Sequence, residues 1–259
     1  MHFIETGSQH AQAVPATTVA KGTQVDAGVD WNKKPHVFTV GVETPMVKLT
    51  EFAGFVLKGF KSKPDYCDPG RLHRKIGTDA VQETSDIMGL MCPDGHEAQA
   101  IPEALTKLAS STLYAVASGR KTSGWEPSFL PSVRLQVIGS REVFAVDVAH
   151  VTAFLQKENS MAGPQEVKTW LSTLTITQAK EYQAAGGTIH HCTCGPRDAM
   201  YLPACYVFHE HAVGDAVGVK KSVIRTADFD VLSNLNNTCI AVKKPNKNLQ
   251  DAVDAMSTM

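Results

Sequence analysis

Helical spacing of apolar residues dominates the first half of the chain, and strand alternation much of the second. Residues 1–40 have little periodicity and predict a loose arm. Thr44-Pro45 can cap and open a helix, and Leu49, Phe52, Ala53, Val56, Leu57 and Phe60 then mark one apolar face. A weaker helical pattern covers 79–91. A better one runs from Pro102 to Ser118, through Leu105, Leu108, Ala109, Thr112 and Val116, with Gly119 as its stop. After Gly124 the period changes. Ser132 to Ile138 and Arg141 to Val148 alternate like two strands, and Gly139-Ser140 between them suits a type II′ hairpin turn. That turn predicts Val133 opposite Val146 and Leu135 opposite Phe144, on one buried side.

Residues 149–185 return to helix. Pro164 opens one helix containing Val167, Trp170 and Leu171. Thr175 with Gln178 forms a capping box for the next, which ends at Gly186-Gly187. Three short β-like runs follow, Thr188–Cys194, Ala199–Pro203 and Cys205–His211, with a turn at Gly195-Pro196-Arg197-Asp198. Val217–Arg225 is a fourth run, and a helix closes the chain from about Leu249. Helices first and paired strands later predict an α+β fold, with a small antiparallel barrel or sandwich flanked by helices. The expected divisions are an arm at 1–40, a helical region at 41–124, a β-barrel at 125–225 and a helical segment at 226–259.

Composition narrows the function classes. In 259 residues, 43% hydrophobic and 20% charged, a sizeable core can form. A formal net charge of −1 gives no whole-chain case for nucleic acid or an anionic membrane. No apolar run is long enough to span a bilayer, and Met1-His2-Phe3-Ile4-Glu5 lacks the features of a secretory signal. The expectation is an intracellular protein, cytoplasmic or nuclear, with reduced cysteines and a protein or small-molecule partner. Six basic residues between Lys58 and Lys75 read as a solvated loop or as a grip for an acidic partner. The usual nucleotide cradles and the nucleophile elbow are missing. Cys92-Pro93-Asp94-Gly95-His96-Glu97 is sufficiently explained as a turn.

Two segments carry a family resemblance. Leu135-Gln136-Val137-Ile138-Gly139-Ser140-Arg141-Glu142-Val143 resembles a barrel hairpin of the JmjC/cupin superfamily, the double-stranded β-helix. Gly195-Pro196-Arg197-Asp198-Ala199-Met200-Tyr201-Leu202-Pro203-Ala204-Cys205-Tyr206-Val207-Phe208-His209-Glu210 resembles its later Gly-Asp turn and Leu-Pro-Ala strand. The resemblance covers about residues 125–225. It implies a small antiparallel double-stranded β-helix flanked by helices. In catalytic members, a His-x-Asp/Glu pair and a later His hold Fe(II) beside 2-oxoglutarate. Here Glu126 and Ser128 fall at the pair and Phe208 at the later histidine, with His209 one residue late. A one-residue slip sends His209 to the other face unless a bulge restores its aim. The resemblance therefore implies a binding or scaffolding module that has lost the iron triad.

Seven soft ligands crowd residues 190–211: His190, His191, Cys192, Cys194, Cys205, His209 and His211. Residues two apart on a strand share a face, so Cys192, Cys194, His209 and His211 are the candidate metal ligands. Zinc suits them, structural with four ligands or catalytic with three and a water. Such a centre would make the chain a metal-dependent enzyme with a rearranged site. Cysteines packed as small hydrophobes, with histidines on half-exposed strands, account for the same residues. The cofactor stays open between zinc, iron and none.

Overall fold

The computed structural model describes residues 124–222 and 226–258, with shorter stretches at 2–5, 11–14, 16–19, 21–22, 34–39, 50, 53–54, 65–67 and 111–116. Among these, twelve strands and five α-helices form a mixed α+β fold around a curled mixed sheet. The strands are β1 (His2–Glu5), β2 (Ala11–Val14), β3 (Thr17–Thr18), β4 (Lys21–Gly22), β5 (His36–Thr39), β6 (Asp65–Cys67), β7 (Ser111–Val116), β8 (Glu126–Ser128), β9 (Ser132–Asp147), β10 (His190–Cys194), β11 (Asp198–Leu202) and β12 (Tyr206–Ser222). The helices are α1 (Val148–Gln156), α2 (Pro164–Ser172), α3 (Ile176–Ala184), α4 (Phe229–Ala241) and α5 (Lys247–Met256). The main sheet runs β4-β5-β11-β9-β12-β7-β6; β10 pairs with β9 and β3, and β8 pairs with β12. The β10–β3 and β4–β5 pairs are parallel and the other pairs of this sheet antiparallel.

The hairpin expected across Gly139-Ser140 does not form. Residues 132–147 are one strand, and its long partner is β12, from Tyr206 opposite Asp147 to Ser222 opposite Ser132. Val133 faces Tyr201 and Lys221 in place of Val146, and Phe144 faces His191 and His209 in place of Leu135. Gly139 does have a left-handed backbone, φ 70°, but it bends the strand instead of reversing it. Opposite it, β12 is irregular between Val213 and Val217, so both strands turn the same corner. A glycine with positive φ serves a bend and a turn equally.

Two other expectations change. Ser111–Val116, expected inside a helix, is strand β7 between β6 and β12, where pairing with the long strand overrides helical spacing. Residues 1–40, expected as a loose arm, contribute β3, β4 and β5 to the sheet and pair β1 with β2. Of the helix expected after Thr44-Pro45, residues 50 and 53–54 are described, and they are helical. The helix expected at 79–91 and the Cys92–Glu97 turn lie outside the described residues, as does most of the basic stretch from Lys58.

Helices α1, α2 and α3 follow their local signals. Asp147 caps α1 by accepting from Ala149 N and His150 N at 2.7 and 3.2 Å. Pro164 opens α2, where Gly163 N donates to Glu166 Oε2 at 2.9 Å. Thr175 and Gln178 form the expected capping box on α3 at 2.9 and 3.2 Å. These helices pack Val151, Leu171 and Tyr182 against Phe144, Val146 and Val207 of the sheet. The opposite, inner face holds a second core, including Val37, Val143, Ala145, Leu202, Tyr206 and Phe208. Both faces of the central strands are thus covered. No helix among the described residues is long and apolar enough to cross a membrane.

Candidate functional site

The register decides what the His/Cys cluster can do. Cys192 lies opposite Val143, which lies opposite Glu210; His191 lies opposite Phe144, which lies opposite His209. Residues level with one another across a sheet share a face. Cys192 and Cys194 therefore point into the inner face with Glu210. His209 and His211 point to the helix face with His191 and Glu142. Each sequence-expected pair does share a face, but the two pairs stand back to back. The four residues are not brought together as one coordination sphere. Among the described residues, no group of three or more His, Cys, Asp or Glu side chains is placed to hold a metal ion.

On the helix face, the His209 ring lies 5.7 Å from Trp125 and the His191 ring 4.7 Å from Phe144. His191 Nε2 is 3.8 Å from Glu142 Oε1. These histidines are part of the packing between sheet and helices. The pairing of β12 with β9 is regular from Tyr206 to Val213, so no bulge returns His209 to the inner face.

The positions that the resemblance assigns to iron do converge. Strand β8 sets Glu126 opposite Phe208 and Ser128 opposite Tyr206, all on the inner face. Their chemistry does not fit the ion. Phe208 is no ligand, and its ring lies beneath the Arg134 guanidinium, 3.6 Å from Cζ to the ring centroid. Lys220 Nζ is 5.9 Å from the same ring. Ser128 Oγ donates to Leu130 O at 3.0 Å. One carboxylate, Glu126, beside two cationic side chains is a poor host for a dication.

The inner face instead encloses a charge cluster. Arg134 and Arg141 each donate to Glu210 Oε1, Arg141 at 2.9 Å. Arg141 Nη2 also donates to the Arg134 carbonyl at 3.3 Å. Arg134 and Arg141 are 0% and 1% exposed. They reach one carboxylate from even and odd positions because the register shift between Ile138 and Gln136, opposite Val217 and Gly218, reverses the alternation of β9. Burial alone would raise the Glu210 carboxyl, but the two guanidinium charges and their hydrogen bonds bring it down to about 2. Burial, reinforced by the charge of Arg134, lowers Lys220 to about 8 against the pull of Glu210 and Glu126.

Two further groups complete this face. A hydrogen bond from Cys192, then the charge of Arg141, lower the Cys194 thiol against its burial, while Cys192 itself is raised well above the ordinary range. Burial, then Lys34 and His36, lower His190 to about 4, so it is neutral at physiological pH.

Arg134, Arg141 and Glu210 were not singled out by sequence reasoning, and Lys220-Lys221 read as solvated charges that could extend a weak basic surface, whereas Lys220 is half-buried. Val133-Arg134-Leu135-Gln136-Val137 reads as a half-exposed strand with a solvated polar face. Charged residues on strands whose other positions are apolar were the available signal, and it needed the second covered face to become meaningful. No protein-family model matches the chain, and a search of curated proteins finds no match either.

Proposed function

We propose that this chain is a binding or scaffolding module on a JmjC/cupin-like curled sheet, without the Fe(II)/2-oxoglutarate oxygenase chemistry of that superfamily's catalytic members. One observation carries the reading. Glu126, Ser128 and Phe208, which stand where the resemblance places the iron ligands, are neighbours on the inner face of β8 and β12. They supply one carboxylate, a hydroxyl already donating to a backbone carbonyl, and an aromatic ring beneath Arg134. The internal Arg134–Glu210–Arg141 cluster supports the same reading, because it occupies the face with fixed, buried charge that carries a net positive excess. A rearranged His/Cys catalytic centre has less support, since the register parts Cys192 and Cys194 from His209 and His211.

Elemental analysis and a turnover assay on the purified full chain test the proposal. The expected result is no stoichiometric iron after reconstitution with Fe(II), and no 2-oxoglutarate consumption above a protein-free control. Stoichiometric iron together with 2-oxoglutarate turnover would overturn it.

A further inference from the structure

The sulfur atoms of the inner face form a group of their own. Cys192 and Cys194 are free thiols on one side of β10. The turn at 195–197 brings β11 back beside them, and Met200 Sδ lies 3.5 Å from Cys192 Sγ. Cys192, Cys194 and Met200 are 3%, 0% and 1% exposed, within an apolar cluster that includes Val143, Leu202 and Phe208. Two thiols and a thioether thus share one buried apolar cluster, with Arg141 directly across the ladder from Cys194.

We propose that Cys192, Cys194 and Met200 form a binding site for a soft monovalent cation, copper(I). Thiolate and thioether sulfur together select this ion over harder metals. With metal–sulfur bonds of about 2.3 Å, two ligating sulfurs stand about 3.8–4.0 Å apart at tetrahedral to trigonal angles. The 3.5 Å between Cys192 and Met200 reaches that spacing with a movement of a few tenths of an ångström. As the ion enters, each cysteine gives its proton to solvent and a sulfur–copper bond replaces the sulfur–hydrogen bond. No electron is transferred. One copper(I) with two thiolates carries a single negative charge, and Arg141 supplies the neighbouring positive charge. Zinc fits less well: it favours four ligands, a thioether is a weak donor to it, and His209 and His211 face the other way.

The site uses none of the positions assigned to iron, so it stands independently of the binding-module proposal. The full-length, reduced chain is titrated with copper(I) without oxygen, in competition with bicinchoninate, and the product is examined by copper-edge X-ray absorption. The expected result is one equivalent with sulfur alone in the first shell. Cys192→Ser and Cys194→Ser should each lose it, and Met200→Leu should lose one sulfur scatterer and bind more weakly. A variant with Cys67, Cys92, Cys205 and Cys239 all changed to serine should keep it. Failure of the unchanged protein to compete for copper(I), nitrogen scatterers in the first shell, or loss of the equivalent in a four-serine variant whose circular dichroism and urea unfolding match the parent's would each overturn the proposal. The first two readouts use the unmodified chain, so a variant that fails to fold does not decide the question.

Discussion

Both Arg134 and Arg141 grip the Glu210 carboxylate, which is 7% exposed. Replacing it by glutamine keeps the shape and removes the charge. Two buried guanidinium groups then lose their common counter-ion, and breaking a buried pair in this way costs about 3–5 kcal/mol. The same pairing makes stability depend on pH. The folded carboxyl titrates near 2, below the reference value of 4.5. As the pH falls below about 4.5, the unfolded chain takes up a proton that the folded chain refuses, and stability declines until the pH passes about 2. Above about 4.5 the contribution is fully present. At about 1.4 kcal/mol per pKa unit, it amounts to roughly 3 kcal/mol. Urea unfolding, followed through the buried Trp125, measures both. The parent should lose stability between about pH 5 and 2, and Glu210→Gln should remove the part of that slope due to Glu210 while lowering stability near pH 7. A triple variant, Arg134→Met with Arg141→Met and Glu210→Leu, should cost less than Glu210→Gln alone, because it removes the two guanidinium charges together with their counter-ion. If Glu210→Gln lies within about 1 kcal/mol of the parent, with an unchanged acid slope, Glu210 is not the counter-ion that holds the two buried guanidinium groups.

Two smaller perturbations test the bend and the helix ends. Gly139 and Gly214 both have left-handed backbones, φ 70° and 85°, so alanine at either costs about 1–2 kcal/mol in backbone strain. An added Cβ at Gly139 would also lie 2.0 Å from the Asp215 carbonyl oxygen, whereas at Gly214 nothing lies within 4 Å. Gly139→Ala should therefore be clearly the more destabilising in urea unfolding, and equal losses would refute the close approach of the two bent strands. Thr175→Ala removes the side-chain half of the α3 capping box. It should lower stability by about 1 kcal/mol by the same measurement, and no loss would mean the box does not hold the helix start.

The sequence alone determined the elements whose signals act over a few residues. The proline at 164, the Thr175–Gln178 box, the Gly186-Gly187 stop and the turn at Gly195–Asp198 all lie where local chemistry placed them. Strand pairing was beyond its reach. Gly139 is equally suited to a hairpin turn and to a bend, and the choice depended on β12, more than sixty residues away. Residues 111–116 likewise became strand by pairing with β12. The candidate site followed the same division. Alternation showed that Cys192 and Cys194 share a side and that His209 and His211 share a side. Only register showed that these are opposite sides of one sheet. Period-two alternation distinguishes the two faces of a strand but does not say whether one or both are covered. Covering both turned Arg134, Arg141 and Glu210 from apparent surface residues into a buried charge cluster, and brought Met200 to the cysteines.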